Sequence, residues 1–375
     1  MHHLITLIPK HYHYHQMLPF KFLDAYGKED KDRFFGRERE TAQLYNAVFA
    51  ANLTLLYGGS GTGKTSLVNC GLANKFYPSD WLPIFIRREK NLNFSLQAAI
   101  ARHLDGQQPS DFREWPLADQ IQRLYLDHYR PVYLIFDQFE ELFILGNREE
   151  QQSFYQSIAH LLRARLQAKV ILIIREEWIA HLNEFEKVIP SLFDNRLRIE
   201  RMNDLNIARV IRGMAGQAED PEIRIEDPKT TITRIIDNLR DKHQRVDLTN
   251  LQVYMDRLYR TDLERQGGSE VRQVTFDPEL VERVGRIDNV LGTFLEEQLM
   301  RLENQLDQQG VPSVKGLPLE ILFTLVTEDG TKQPMGTAEI RESLPRNREI
   351  QPEQLQYCLN EFQRLRLLRA LETSE

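Results

Sequence analysis

A lysine and a hydroxyl residue set behind a run of glycines can hold a phosphate chain, and the stretch LLYGGSGTGKTSLVN (Leu55–Asn69) carries that combination. Gly58, Gly63, Lys64 and Thr65 fit G-x-x-x-x-G-K-[ST], after the apolar run Leu53–Tyr57 and before a helix-compatible segment. Gly58, Gly59, Gly61 and Gly63 let backbone N–H groups turn inward, with Ser60, Thr62 and Ser66 completing the loop, and the following helix offers its positive end to the same point. In this chemistry Lys64 neutralises β and γ oxygens and the Thr65 hydroxyl ligates Mg²⁺. A glycine-rich turn can be purely structural, but the complete pattern directly after a strand weighs against that.

Such a loop needs a second acid for the metal. The segment VYLIFDQFEELF supplies Asp137 at the end of an apolar strand, with Glu140 and Glu141 just behind it as candidate bases for an attacking water. The alternative is a solvated acidic helix start, where carboxylates are favoured anyway; it does not suit Asp137, and between Glu140 and Glu141 the choice stays open. Arg175 closes the next apolar run, VILIIREEW, where it points toward the crevice in which open α/β sheets hold ligands. It contacts a γ-phosphate on one reading and pairs with Glu176 or Glu177 on the other. Arg196, Arg198 and Arg201 recur along NRLRIERM, as a solvated edge or, second to that, as phosphate or partner contacts, with Arg196 and Arg198 on one face of a strand. No N/T-K-x-D guanine-reading motif follows Asp137, which favours adenine.

The elements that must position these residues are legible from periodicity. Leu44, Ala47, Val48 and Ala51 recur at helical spacing over Arg37–Ala50. Leu53–Tyr57, Trp81–Ile86, Pro131–Phe136 and Lys169–Ile174 are short, continuously apolar and separated by helical segments such as Glu149–Gln167. That alternation predicts an α/β fold with a parallel sheet covered on both faces. After Arg201 the chain reads as helices over Asp204–Gly216, Pro228–Lys242, Leu248–Gln266 and Pro278–Gln308, with Gly267-Gly268 as a breaker. Leu317–Val326, Thr337–Leu344 and Pro352–Arg366, followed by the strand-like LRLLRAL, suggest a winged helix. The expected division is a disordered leader 1–19, a P-loop NTPase domain 20–201, a helical domain 202–309 and an incomplete winged-helix-like domain 310–375.

Composition narrows the function classes. A chain of 375 residues with 41% hydrophobic and 27% charged residues suits two or three soluble domains. A net charge of −7 is not that of a general cationic platform for nucleic acid. No segment approaches the roughly 20 apolar residues of a membrane span. Two cysteines, Cys70 and Cys358, form no disulfide framework and fit a reducing, cytoplasmic setting. The leader holds His11, His13 and His15 alternating with Tyr12 and Tyr14, a weak metal site at most and better read as unstructured.

Taken in order, these segments resemble the STAND ATPases, P-loop switches related to the NACHT, NB-ARC and AAA+ groups, and in particular their novel STAND branch. RFFGRERE resembles the hhGRE element, which the resemblance places beside the base through Phe35, Gly36 and Arg37. GGSGTGKT is the Walker A and LIFDQFEELF is similar to the branch's Walker B, with Glu140 or Glu141 as the water-positioning acid and Arg175 as sensor. Ordinary AAA+ proteins place that acid directly after the aspartate, where this chain has Gln138. The family's Gly-x-Pro element corresponds either to Gly316-Leu317-Pro318 or to a degenerate form near Leu248 to Leu251. The last histidine is His243, so the late histidine that holds ADP in the family is not matched, and the sequence reads as the nucleotide-binding core of a larger switch.

The resemblance implies an ATP- and Mg²⁺-binding switch, slow in hydrolysis, that rearranges its domains with the bound nucleotide, self-associates on activation and acts in signalling or defence. Effector and sensor would lie on other chains or missing segments. The alternative is a DNA-acting ATPase of origin-recognition or transposition-helper type that uses the winged helix. Leu317–Glu375 carries seven Lys/Arg against ten Asp/Glu, a local net of −3, which disfavours a DNA-reading wing.

Overall fold

In the computed structural model, five parallel strands carry the site at their carboxyl ends, and the three inner ones are runs of residues buried on both faces, while the two edge strands are partly exposed. The structure describes residues 20–21, 24–104, 109, 111–217, 222–267, 271–308, 315–326, 333, 335–345, 350–364 and 368. The expected leader, Gly268 and most of the strand-like LRLLRAL lie outside these residues.

The strands are β1 (Leu53–Gly58), β2 (Leu82–Ile86), β3 (Val132–Phe136), β4 (Ala168–Arg175) and β5 (Arg196–Arg198), in the order β2-β3-β4-β1-β5. Consecutive residues of one strand serve opposite cores: Leu55, Leu134, Val170 and Leu172 pack into one apolar cluster, and Leu56, Ile135, Ile171 and Ile173 into another. Burying each such side chain contributes about 1.5–3 kcal/mol, so the strand register is held from both sides. That register places Gly58 opposite Arg175 and Ile86 opposite Phe136. The residues that end or follow these strands, Gly58, Arg87, Asp137 and Arg175, therefore emerge along one edge.

Helices cover the sheet: α1 (Glu38–Ala50), the short α2 (Lys64–Ser66) that continues as a π-helical stretch over Leu67–Leu72, α3 (Leu92–Ala101), α4 (Leu117–His128), α5 (Glu141–Ile144), α6 (Arg148–Arg163) and α7 (Asn183–Val188). Edge strand β2 carries Pro83. Leu82 N bonds Pro131 O toward β3, so Pro83 faces the open side, where its missing N–H breaks no ladder bond. Asn195 ties β5 in place by donating to Ala47 O (2.9 Å) and Leu53 O (3.1 Å).

Beyond the sheet come α8 (Asp204–Gly216), α9 (Pro228–Leu239), α10 (Leu248–Arg265) and α11 (Pro278–Val284), close to the expected helices. Two short parallel strands, β6 (Glu222–Ile225) and β7 (Gln273–Phe276), interrupt what the sequence reads as purely helical. The chain divides into two compact units, 1–284 and 285–375, unlike the expected boundaries at 201/202 and 309/310. The reason is contact: Leu248 N bonds Gly61 O (3.1 Å), Lys21 N bonds Gln252 Oε1 (3.1 Å), and the Phe20 and Tyr259 rings meet edge to face. These join α10 to the sheet part.

The second unit consists of α12 (Ile287–Gln308), α13 (Leu317–Thr324), α14 (Thr337–Ser343) and α15 (Pro352–Arg364) around Leu302, Leu306, Ile321, Ile340, Leu355 and Phe362. Its last three helices fall on the helical segments read from the sequence at Leu317–Val326, Thr337–Leu344 and Pro352–Arg366. Among the described residues no helix is long and apolar enough to cross a membrane.

Candidate nucleotide site

The loop between β1 and α2 takes its shape from its glycines. Gly61 and Gly63 have φ of +67° and +83°, which side-chain-bearing residues avoid. A Cβ at Gly58 would stand 2.3 Å from Ile199 O, because β5 passes directly beside it. Thr62 Oγ1 donates to Gly59 O (3.0 Å) and Ser66 Oγ accepts from Tyr26 N (3.1 Å), while Ser60 is exposed at the tip. Lys64 Nζ lies within the loop and donates to Gly58 O and Gly59 O, both at 2.8 Å. Burial pushes its pKa below the ordinary lysine range, and the carboxylate of Glu140 works in the opposite direction.

Arg37 braces this loop from behind. Its Nη2 donates to Thr62 O and Glu200 O, both at 2.8 Å, and its Nη1 pairs with Glu40 at 2.6 Å, all with the side chain buried. Phe35 lies so close to α8 that a Cβ at Gly213 would stand 2.4 Å from its ring, and Gly36 sits at φ +79° against Asn206 O. Around them, Gln252 of α10 accepts from Lys21 N and donates to Met214 Sδ (3.2 Å). The phenol of Tyr26, which is hydrogen-bonded to Gln252, is pushed up to about 12 by burial. Of the two candidate segments for the Gly-x-Pro element, the one near Leu248 lies against the phosphate loop and Gly316-Leu317-Pro318 belongs to the second unit.

On the acidic side, Asp137 is buried, and its Oδ1 accepts from Thr65 Oγ1 at 2.9 Å. A hydroxyl and a carboxylate brought together from positions 72 residues apart are the hard oxygen donors that suit Mg²⁺. The other oxygen, Oδ2, accepts from Arg87 Nε at 2.9 Å and from Arg87 Nη2. Past Asp137 the chain turns sharply. Gln138 adopts φ +57°, Phe139 N bonds Ile173 O (2.9 Å) across the end of β4, and the Phe139 ring drops into the core. The turn brings Glu140 back toward the sheet edge, where Oε1 pairs with Arg175 Nε at 3.0 Å and Oε2 accepts from Arg175 N at 3.2 Å. Glu140 and Arg175 both act electrostatically on Lys64, as does Glu177. Glu141 instead opens α5.

The ion pair of Arg175 thus runs to Glu140, while Glu176 is taken by Arg198 at 3.0 Å. Arg201 lies beyond β5 and reaches Val246 O at 3.5 Å, and its guanidinium would stand 3.6 Å from a Cβ at Gly59. The sequence reading missed Arg87, Tyr26 and Gln252. A signal for Arg87 was present: it is the first polar residue after LPIFI, the place that Asp137 holds after β3.

Comparison with solved structures agrees with this architecture. The ORC1 protein of Aeropyrum pernix, solved in complex with DNA, aligns over 88% of this chain and 84% of its own at 17% identity and a TM-score of 0.50. The ORC2 protein of Aeropyrum pernix, solved as ADPNP-ADP complexes, aligns over 88% of this chain and 95% of its own at 12% identity and a TM-score of 0.51. At such identity the likeness is one of fold, that of the AAA+ P-loop ATPases. No curated protein matches the sequence. The profile described as Novel STAND NTPase 1 matches residues 19–374, nearly the whole length, and the chain therefore belongs to that family of P-loop NTPases.

Proposed function

We propose that this protein is a nucleotide-operated switch that binds ATP with Mg²⁺, hydrolyses it slowly and changes the arrangement of its helical parts with the nucleotide it holds. The observation that supports this most is the pairing of Glu140 with Arg175 beside Lys64, at the same loop against which α10 is seated. The reading assigns the phosphates to the loop amides of residues 58–66 and to Lys64, and the adenine to the region of Phe35, Gly36, Tyr26 and Gln252. Thr65 and Asp137 would hold Mg²⁺, which neutralises phosphate charge. Glu140 takes a proton from water as its oxygen bonds to the γ-phosphorus, and the bond from that phosphorus to the bridging oxygen of ADP breaks.

Arg175 can serve Glu140 or a γ-phosphate, so a triphosphate that recruits it frees the base. The switch step rests on Leu248 N and the Asp247 carboxylate, which lie against Gly61 and would feel the phosphates first. We place such a switch in cytoplasmic signalling or defence, with self-association on activation and effector and sensor parts on other segments or chains. A second reading, a DNA-acting ATPase, draws on the ORC1 protein having been solved with DNA. Steady-state ATP turnover with and without duplex DNA separates the two: slow, DNA-independent turnover supports the switch, and strong stimulation by DNA supports the second reading.

A further inference from the structure

We infer that Arg87 is a positioning residue for the metal end of the nucleotide site, a role that rests on the nucleotide-binding reading above. Parallel pairing of β2 with β3, completed by the bond from Asp137 N to Ile86 O (2.9 Å), sends Arg87 and Asp137 out of neighbouring strands side by side. Two nitrogens of the guanidinium, Nε and Nη2, fall on the same oxygen, Oδ2. Oδ1 is thereby turned to the Thr65 hydroxyl. A carboxylate free to rotate about its last bond would offer either oxygen; this one offers a defined one.

The backbone that carries Arg87 is itself pinned. The next residue, Arg88, whose side chain is only 8% exposed, makes a two-point ion pair with Glu150, Nε to Oε1 and Nη2 to Oε2, both at 2.9 Å. Arg88 also donates to Glu89 O, Lys90 O and Leu145 O, and Glu150 Oε1 accepts Leu92 N at 2.6 Å. With β3 on one side and this knot on the other, the backbone that carries Arg87 is fixed beside Asp137. Arginine suits the task because its nitrogens have fixed relative geometry; a lysine keeps the charge and loses the fork.

Groups that orient a metal-ligating carboxylate typically contribute 10- to 100-fold to metal affinity. The test compares affinity for ATP in excess Mg²⁺ with affinity in EDTA, by calorimetry, in wild type, Arg87→Gln and Arg87→Lys. The ratio of the two affinities is expected to fall by roughly 10- to 100-fold in both variants, while the affinity in EDTA stays within about threefold of wild type. An unchanged ratio in both variants overturns the inference. So does equal weakening with and without metal, which would make Arg87 a phosphate ligand, and so does full recovery in Arg87→Lys, which would leave only its charge. If Arg87→Gln does not fold, Arg87→Lys carries the test. Wild type that binds no ATP in either condition refutes the nucleotide-binding reading and this inference with it. Wild type with a metal effect that both variants retain refutes the inference alone.

Discussion

Replacing Glu140 by Gln separates the two candidate bases. Glu140 and Glu141 are neighbours, but the left-handed turn at Gln138 sends them in different directions, Glu140 to Arg175 and Lys64 and Glu141 into the first turn of α5. Glutamine retains a carbonyl oxygen for the N–H of Arg175 and loses the ability to take a proton. The partner guanidinium is 43% exposed, so water and salt screen much of the lost charge and the stability cost is modest. The rate cost is larger: loss of a general base typically slows a reaction by about 10²- to 10⁴-fold, equivalent to roughly 2.7–5.4 kcal/mol of barrier. Glu141→Gln loses a favourable charge at a helix start, about 0.3–1 kcal/mol of stability, and should leave turnover near wild type. Phosphate release in single-turnover reactions at saturating MgATP is the assay, with thermal melts to confirm folding. Normal hydrolysis by Glu140→Gln, or a matching loss in Glu141→Gln, would refute the assignment.

Arg37→Ala would strip the buried Thr62 O of its donor, costing about 1–3 kcal/mol, while the part-buried Glu200 O can turn to water; denaturant melts should show the loss. Gly213→Ala would drive a methyl to 2.4 Å from the Phe35 ring, an overpacking cost of about 1–3 kcal/mol visible in the same melts, with weakened nucleotide binding. Lys64 has a folded pKa below its unfolded value, so the unfolded chain holds more protons between the two and stability rises with pH across that window, in contrast to a salt-bridged lysine. In the same window affinity for ATP should begin to fall below the usual 10.5, and Lys64→Arg should remove that decline.

Much of the sheet was legible because its strands are continuous apolar runs, and the phosphate loop because glycine, lysine and threonine at fixed spacing have few other uses. The partner of Arg175 was harder to read. Glu176 and Glu177 follow it in the chain, yet the strand ends at Arg175 and both glutamates belong to the 3-10 helical stretch Glu176–Leu182, so Arg175 meets a carboxylate delivered by the turn after β3. Arg37 shows the limit of assigning a residue by its place in a motif, since its guanidinium reaches loop and strand carbonyls. Strands β6 and β7 are four residues each and lie between strong helical patterns, too short for an alternation to stand out. The contact of Leu248 with Gly61 joins positions 187 residues apart in sequence and carries no local signal.

The most direct test of a nucleotide-operated switch is the nucleotide content of protein purified without added ligand, released by denaturation and separated by ion-exchange chromatography, followed by calorimetric titration of the emptied protein with ADP and ATP in Mg²⁺. The account predicts bound adenine nucleotide, or tight rebinding that Lys64→Ala abolishes. Protein that carries none and binds neither nucleotide would contradict it.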